Sequence, residues 1–453
     1  MMMIGIFWGI NYLVKKAGFP VKIWLGILLF LGCLYLPTPT RAASQRQLEQ
    51  LEKTGQCAEC NLRGARLAGV ELRGANLKGA DLTDADLGDA KLEGANLEGA
   101  NLEGANLKGA NLFRANLKNA KLNESGLTNA NLTNANLEKA TLKQAILEGA
   151  NPENANLKEA DLSEANLKNA QIKNADLEKA ILKSANLEGG SLEGSNLKGA
   201  NLEAANLFRT NLKGTTIDDA TKLDSKGQPV WQLVNKGAAG ETMVGANLSG
   251  ASLQSLDLQK ANLQRVKLES AYLFIVDLRG ANLSGSNLTN ASLLYADLRG
   301  ASLAGVDLAG AELKNVNLEG ANLKNANLKN AKLGEKVLLE SKWRLVWEIV
   351  NKEVEERDLT GADLEGANLQ GSSLKRARLS NASLAGVNLK EANLREANLF
   401  NADLRDANLQ GAILEWANLS GANLKGANLE GADLSKVNLC GAIMPDGKQQ
   451  SCQ

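Results

Sequence analysis

A leucine recurs every five residues from Leu62 almost to the C-terminus, and this spacing constrains the fold more than any other feature. Residues 95–112 show the pattern as ANLEG-ANLEG-ANLKG-ANL. A five-residue period fits neither an α-helix nor a plain strand. It fits a chain that turns a corner every five residues, in which the leucine and the small residue two positions before it point inward while the other three face water. We expect such turns to stack and to bury a continuous apolar column, as in a solenoid.

The motif of this repeat is A-(D/N)-L-x-x, and it covers residues 58–444 apart from two interruptions. In this motif the sequence resembles the pentapeptide repeat family. The resemblance implies an all-β solenoid, a right-handed quadrilateral β-helix with four repeats in each coil. Burial of each leucine contributes about 1.5–3 kcal/mol. Aromatic residues make up only 4% of the chain, which suits a narrow core of leucine and alanine.

The five-residue register breaks twice and divides the predicted solenoid into three segments. We call the repeat segments rod 1, rod 2 and rod 3, and the two interruptions joint 1 and joint 2. In chain order they are rod 1 (58–217), joint 1 (218–242), rod 2 (243–333), joint 2 (334–358) and rod 3 (359–444). Each interruption spans 26 residues from one register position to the next, which is five repeats and one residue. The joints are therefore one element used twice.

Both joints contain the sequence V-W-x-(L/I)-V-N, which begins at Val230 and at Val346. In joint 2 the apolar residues fall at i, i+3, i+4 and i+7, the spacing of an amphipathic helix. The predicted helix core comprises Trp231 and Val234 in joint 1, and Trp343, Trp347 and Val350 in joint 2. The pattern favours a short helix folded onto the wall of the solenoid at each joint. The alternative is an exposed helix that docks a partner.

Residues 1–42 have the order of a secretory signal peptide, with basic, apolar and small residues in turn. Three lysines precede an apolar run from Ile23 to Leu36, and Ala42 suits a cleavage site. We expect export to the periplasm or the thylakoid lumen, because exported members of the family that the chain resembles are frequent in cyanobacteria. The alternative is an uncleaved membrane anchor in residues 1–36, which would be the chain's contact with a membrane.

Residues 43–57 are predicted to form a helix that covers the open N-terminal end of the solenoid. Ser44 with Gln47 matches a capping box, and Gly55 suits the C-terminal cap. Residues 445–453 would form a cap or tail at the other end.

Four cysteines remain once the signal is removed, and they are Cys57, Cys60, Cys440 and Cys452. An even count in an exported protein favours disulfides. Since the two pairs lie at opposite ends of the repeat array, we expect one disulfide at each end. Free thiols and a redox or metal role are the alternatives.

Five apolar residues stand close together at repeat positions that should face water: Tyr272, Phe274, Ile275, Leu294 and Tyr295. In a coil of 20 residues, Phe274 would stack on Leu294, and Ile275 on Tyr295. A contiguous apolar patch on a polar wall indicates a contact surface. The alternative is that these residues, which we call the aromatic patch, receive one of the tryptophan helices.

The composition argues against most chemistry. The chain contains no histidine, which removes the commonest general base and nitrogen metal ligand. Its formal net charge is zero, so it lacks the basic footprint of a nucleic-acid-binding protein. No catalytic triad, phosphate-binding loop or metal motif is present in the sequence, and we expect no enzymatic activity, no cofactor and no nucleic-acid partner.

The predicted function is therefore a non-enzymatic exported scaffold that binds an unknown protein or a second copy of itself. Two alternatives remain. One is the gyrase-binding DNA mimic known in the family that the chain resembles, which depends on a strongly acidic rod in the cytoplasm. The other is an enzyme with its site in the joints.

Overall fold

The structure, a computed structural model, describes residues 43–237, 239–352 and 355–452. The predicted signal peptide or anchor lies outside these residues. Parallel β-bridges join residues 20 positions apart along the rods, as in Asn76↔Asn96 and Asn96↔Asn116. Four five-residue repeats therefore make one coil, and the coils form a four-sided β-helix. The described residues contain two regular strands of two residues each, β1 (Glu312–Leu313) and β2 (Lys332–Leu333), which pair in parallel.

Each repeat is a short bridge followed by a tight turn. In the first repeat the Ala65 amide donates to the Leu62 carbonyl over 3.0 Å, and Gly64 has φ +65°. This is the pattern of a type II turn, which needs a positive φ at its third residue. The Leu62 amide donates to the carbonyl of Asp81 in the next coil over 2.7 Å. The turn thus sets the corner, and the bridge sets the stacking.

The residue before each leucine is not simply solvated, which corrects the expectation from the period. The Asn96 side-chain oxygen accepts from the Glu98 amide over 3.2 Å and from the Asn116 side chain of the next coil over 3.1 Å. Asn136 and Asn156 continue this ladder. These asparagines are half-buried. A short amide that bonds both its own turn and its neighbour explains why Asn or Asp occupies this position.

Leucine and alanine fill the interior, where most are almost fully buried. The buried residues form two hydrophobic clusters. One runs from Leu51 to Leu212, and the other from Leu233 to Ala442. The division between them falls in joint 1.

The N-terminal helix α1 spans Gln45–Thr54, within the predicted range of 43–57. Gly55 closes it in the left-handed conformation, and its amide donates to Leu51, which is buried. The predicted capping box is wrong, because Ser44 makes no side-chain cap hydrogen bond. The Gln47 side chain instead accepts the Asn61 amide over 3.1 Å, so it covers the edge of the first coil.

The cysteines form one pair at each end of the described solenoid. Cys57 joins Cys60, with Cα atoms 5.2 Å apart, and Cys440 joins Cys452, with Cα atoms 4.3 Å apart. Both pairs lie at disulfide distance, as the even count predicts. Beyond rod 3 the chain folds back as a hairpin, in which Ile443 pairs with Gln449 in the antiparallel sense. The tail thereby covers the last coil.

Each joint contains a short helix. In joint 1, α2 spans Gly227–Lys236, and in joint 2, α3 spans Ser341–Asn351. Bridges continue into both joints before the helices begin, at Asn201↔Lys222 and at Asn317↔Leu338. The partners in these two bridges are one residue further apart than in the other parallel bridges. The extra residue of each interruption therefore lies ahead of its helix, and the ladder extends beyond the predicted rod boundary.

Candidate functional site

The aromatic patch forms on one wall of rod 2. Tyr272 and Phe274 stack with ring centroids 6.0 Å apart and planes 8° apart. Phe274 also meets Tyr295 of the next coil edge-on, at 5.8 Å and 87°. The Ile275 amide donates to the Leu294 carbonyl over 3.0 Å, as a 20-residue coil requires. The structure therefore brings all five residues together.

Ile275 occupies a conformation that suits it poorly. Its φ is +56°, and among the described residues it is the only β-branched residue with a positive φ. Glycine and asparagine are common at this corner position of the repeat. A β-branched residue in the left-handed region carries strain of about 1–3 kcal/mol. The side chain gains little burial in return, since Ile275 is 51% exposed.

Neither tryptophan helix covers the patch. Tyr295 remains 56% exposed alongside Ile275. The helices lie at the coil edges instead, and their buried side chains extend the leucine column. Those side chains are Leu233 and Val234 in α2, and Trp343, Val346 and Ile349 in α3. Trp231, Trp347 and Val350 of the predicted helix core are half-buried. The prediction of a helix on the outer wall is wrong in its placement, and the exposed docking helix is not formed either.

A tryptophan and an asparagine one helical turn apart attach α2 to the last coil of rod 1. The Trp231 indole donates to the Thr215 carbonyl over 3.2 Å. The Asn235 side chain accepts the Gly214 amide over 2.7 Å and donates to the Leu212 carbonyl over 3.0 Å. In a complete stack, backbone groups of the next coil would bond the 214 amide and the 215 carbonyl. The two side chains therefore replace a missing coil and close an exposed sheet edge.

Joint 2 repeats this arrangement with the same sequence separations. The Trp347 indole donates to the Ala331 carbonyl over 2.7 Å. The Asn351 side chain donates to the Leu328 carbonyl over 2.9 Å and accepts the Asn330 amide. We call each pair, Trp231–Asn235 and Trp347–Asn351, an edge lock. Both asparagines are visible in the repeated sequence of the joints. Their role depends on which coil the helix faces, and the sequence does not specify that.

The walls carry paired charges rather than a single sign. Arg279 donates to Asp277 over 2.6 Å, and Arg299 does the same to Asp297 one coil later. The hydrogen bond from each arginine holds the pKa of its aspartate below the ordinary value. Elsewhere Lys and Glu pair between successive coils, as in rod 1. Such a wall presents mixed charge to a partner.

The rest of the described chain gives no sign of a reactive centre. In residues 43–237, 239–352 and 355–452 no three His, Cys, Asp or Glu side chains converge as metal ligands would. No helix in those ranges is long and apolar enough to cross a membrane. Phe400 and Trp416 are exposed singly, at 43% and 54%, and single exposed aromatics are ordinary. The aromatic patch and the joints remain as the candidate surfaces.

Comparison with known protein families gives matches over most of the described chain. The family model "Pentapeptide repeats (8 copies)" matches nine stretches between residues 56 and 444, and these leave out most of each joint. The model "Pentapeptide repeat region" matches residues 120–197. No curated protein sequence gives a significant match.

Several solved structures match the chain. HetL from the cyanobacterium Nostoc sp. strain PCC 7120, a protein involved in heterocyst differentiation regulation, is 30% identical over 73% of this chain and 92% of its own, with a TM-score of 0.19. A pentapeptide repeat protein of the Arabidopsis thaliana thylakoid lumen is 32% identical over 24% of this chain and 70% of its own, with a TM-score of 0.17. Full-length QnrB1, a plasmid-mediated fluoroquinolone resistance protein, is 17% identical over 57% of this chain and 97% of its own, with a TM-score of 0.16.

Proposed function

The chain belongs to the pentapeptide repeat family, and from that premise we propose that it is a non-enzymatic scaffold outside the cytoplasm that binds a protein partner through the aromatic patch. The long β-helix holds the patch on a wall with mixed charge. The joints serve to stack the three rods. No step of this function needs a cofactor or a reaction.

The observation that carries the proposal is the patch itself. Three aromatic rings pack on one another across two coils while Ile275 and Tyr295 stay about half exposed. Aromatic anchors surrounded by polar side chains are typical of the energetic centre of an interface. Ile275 adds a second argument, because strain that local packing does not offset concentrates at functional sites. An asparagine or glycine at position 275 would adopt this backbone conformation more easily. The isoleucine therefore supports a role in binding a partner.

The test replaces two patch residues and follows both binding and stability. Phe274→Ser combined with Tyr295→Ser removes the ring contacts without touching the buried leucines. We expect the variant to keep its free energy of unfolding to within about 1 kcal/mol and to lose partners captured from the native host. Phe400→Ser combined with Trp416→Ser is the matched control, since those rings are exposed but isolated. Unchanged capture by the patch variant would exclude the patch, and loss of a dimer alone would show that the partner is a second copy.

A separate measurement tests the location. The signal-like order of residues 1–42 and the cysteine pair at each end support export to the periplasm or thylakoid lumen. We expect the intact mass of the protein from its host to start near Ala43, with all four cysteines protected from alkylation before reduction. A full-length mass with reactive thiols would contradict export and favour an anchored or cytoplasmic protein.

A further inference from the structure

The two joints differ at one buried position, where α2 has Gly227 and α3 has Trp343. Each of these residues lies four positions before the tryptophan of its edge lock. The Trp343 ring is only 7% exposed and fills the space between α3 and the neighbouring coils. Joint 1 has no aromatic ring at the corresponding place, and a cleft of about 260 Å³ lies beside Gly227 instead.

The cleft has apolar walls and a polar rim. Its walls include Leu207, Leu212, Val230 and Ala251. Leu207 is a register leucine that should be fully buried, yet it is only partly buried, whereas Leu323 at the equivalent place in rod 2 is 1% exposed. Part of the apolar surface that is buried at joint 2 is therefore exposed at joint 1. Apolar cavities of roughly 150 Å³ already bind benzene, so a ring system somewhat larger than benzene fits this volume.

A lysine at the rim of the cleft matches a lysine that contacts the ring in joint 2. The Lys342 ammonium lies 5.2 Å from the Trp343 ring centroid and is also paired with Asp363 at 2.8 Å. Lys226 is the equivalent residue and lines the cleft. Among the described residues it makes no ion pair with an acid. A cation beside an apolar slot attracts the face of an aromatic ring.

We propose that the joint 1 cleft is a binding site for one neutral, planar aromatic group of about the size of indole. The group would take the place that the Trp343 ring takes in joint 2, against Leu207 and Val230, with Lys226 over its face. The site is separate from the aromatic patch, and its existence does not depend on the scaffold function.

The probe is 5-fluoroindole, followed by its own fluorine NMR signal during titration with the full mature chain. We expect a saturable shift and line broadening with the unmodified protein. Gly227→Trp should lower the affinity tenfold or more, because the new ring would fill the cleft as the Trp343 ring fills the equivalent space at joint 2. Lys226→Gln should weaken binding about two- to fivefold. No saturable shift with the unmodified protein would overturn the proposal.

A second filling variant covers the case in which Gly227→Trp does not fold. A Cβ atom at Gly227 would meet Leu207 Cδ1 at 3.2 Å, so that substitution demands some rearrangement. Ser249 lines the cleft from an outward repeat position, and Ser249→Trp closes it from the rim. Ser420→Trp, at the same repeat position in rod 3, is the matched control and should leave binding unchanged. Binding that survives Ser249→Trp lies elsewhere and would overturn the proposal.

The aromatic group could be a free molecule or a side chain on a protein, and a second titration separates these sources. A short peptide with a central tryptophan is compared with 5-fluoroindole by competition. If both bind and Ser249→Trp blocks both, the cleft accepts a partner's side chain. If only the free ring binds, the natural occupant is a small molecule. Either result supports an aromatic site, whereas failure of both ligands removes it.

Discussion

Joint 1 and joint 2 share one backbone design but connect their rods differently. Both close the preceding coil with an edge lock whose hydrogen bonds span the same sequence separations. At joint 2 the hydrophobic core runs without interruption from rod 2 through α3 into rod 3, whereas at joint 1 it divides within α2. Val230 contacts both clusters there. The division coincides with the cleft beside Gly227.

The difference separates two tasks that a joint must perform. The first task is to pair the backbone groups at the exposed coil edge, and the edge-lock hydrogen bonds do this at both joints. The second task is to join the hydrophobic cores on the two sides, which requires side-chain volume. Only joint 2 provides that volume, through the large ring of Trp343. In a repeat protein, stability is a sum of unit terms and nearest-neighbour interfaces. We therefore expect rods 2 and 3 to behave as one cooperative unit and rod 1 as another.

Loss of the Trp343 ring should give the largest effect. Trp343→Ala leaves a cavity in a closed core, which costs about 3–5 kcal/mol. Because that ring connects rods 2 and 3, their shared transition should split or shift to much lower urea concentration, while rod 1 is unaffected. Urea unfolding followed by circular dichroism, with hydrogen exchange to assign each transition, measures both effects.

Trp416→Ala is the control for this substitution, because that ring is 54% exposed and makes a cation–π contact with the Lys436 side chain. It should cost about 1 kcal/mol or less. If Trp343→Ala is no more costly than the control, then side-chain volume at joint 2 does not join the cores.

The edge locks should respond alike, in contrast to the cores. Asn235→Ala and Asn351→Ala each leave a coil-edge amide without its acceptor, at a cost of about 1–3 kcal/mol. The two costs should agree to within about 1 kcal/mol, since the asparagine-to-carbonyl distances are 3.0 and 2.9 Å. Paired urea midpoints test this. Gln232→Ala, at an exposed position of α2, should have little effect, and a large difference between the two asparagines would show that the locks depend on the packing beside them.

A smaller difference is expected at the glycines where one rod stacks directly on the next. The Arg209 amide donates to the Gly250 carbonyl across joint 1, and the Asn325 amide to the Gly366 carbonyl across joint 2. Both glycines have positive φ. An added Cβ would run into the Phe208 ring at Gly250, but at Gly366 it meets the flexible Lys324 side chain at 2.7 Å.

Gly250→Ala should therefore cost about 1 kcal/mol more than Gly366→Ala, because a lysine chain swings aside more easily than a ring. Gly245→Ala supplies the strain-only reference of about 1–2 kcal/mol, since nothing lies within 4 Å of its added Cβ. Adding Phe208→Ala to Gly250→Ala should remove the excess. Thermal unfolding measures these costs. If the two alanine substitutions lower the free energy of unfolding equally, contact with the Phe208 ring does not contribute to the cost at Gly250.

The sequence predicts the parts of this molecule that follow from local spacing. A five-residue leucine period is enough to predict a stacked solenoid, and the i, i+3, i+4, i+7 apolar spacing around Trp347 is enough to predict α3. The Ser44–Gln47 capping box failed because the Gln47 side chain bonds the Asn61 amide of the first coil instead. That contact joins elements whose relative position the spacing does not specify.

The edge locks and the cleft depend on the same long-range information. Asn235 and Asn351 are visible in the repeated V-W-x-(L/I)-V-N sequence, but their role appears only when the open coil edge beside them is known. The cleft leaves a signal that an alignment of the two joints would reveal, namely a glycine at Gly227 opposite a tryptophan at Trp343. Its depth and its apolar walls come from the stacking of rod 2 on rod 1.

The smallest predicted difference between the joints is a dependence on pH. Partial burial works to raise the pKa of Asp363, but hydrogen bonds from the Lys342 ammonium and the Glu365 amide, together with the charge of the lysine, outweigh it and hold the pKa below its ordinary value. Stability from a carboxylate with a lowered folded-state pKa is present above its unfolded pKa, about 3.9, and is lost as the pH falls through the folded pKa. Joint 1 carries the neutral Asn247 at the equivalent place. Only joint 2 should weaken in acid through this contact.

Asp363→Asn should lower the stability of the unit formed by rods 2 and 3 at pH 6, and the loss should be smaller at pH 3, which lies below the ordinary pKa of an aspartate, about 3.9. The side chain of Asp363 is 60% exposed, so solvent screens the pair and the loss at pH 6 should stay below about 1 kcal/mol. Urea midpoints of variant and wild type, compared at both pH values, cancel the titration of the other wall carboxylates. Asn247→Asp tests the converse, because it should place an acid-sensitive pair with Lys226 at joint 1. If the Asp363→Asn difference persists unchanged at pH 3, the side chain acts at joint 2 through packing rather than charge.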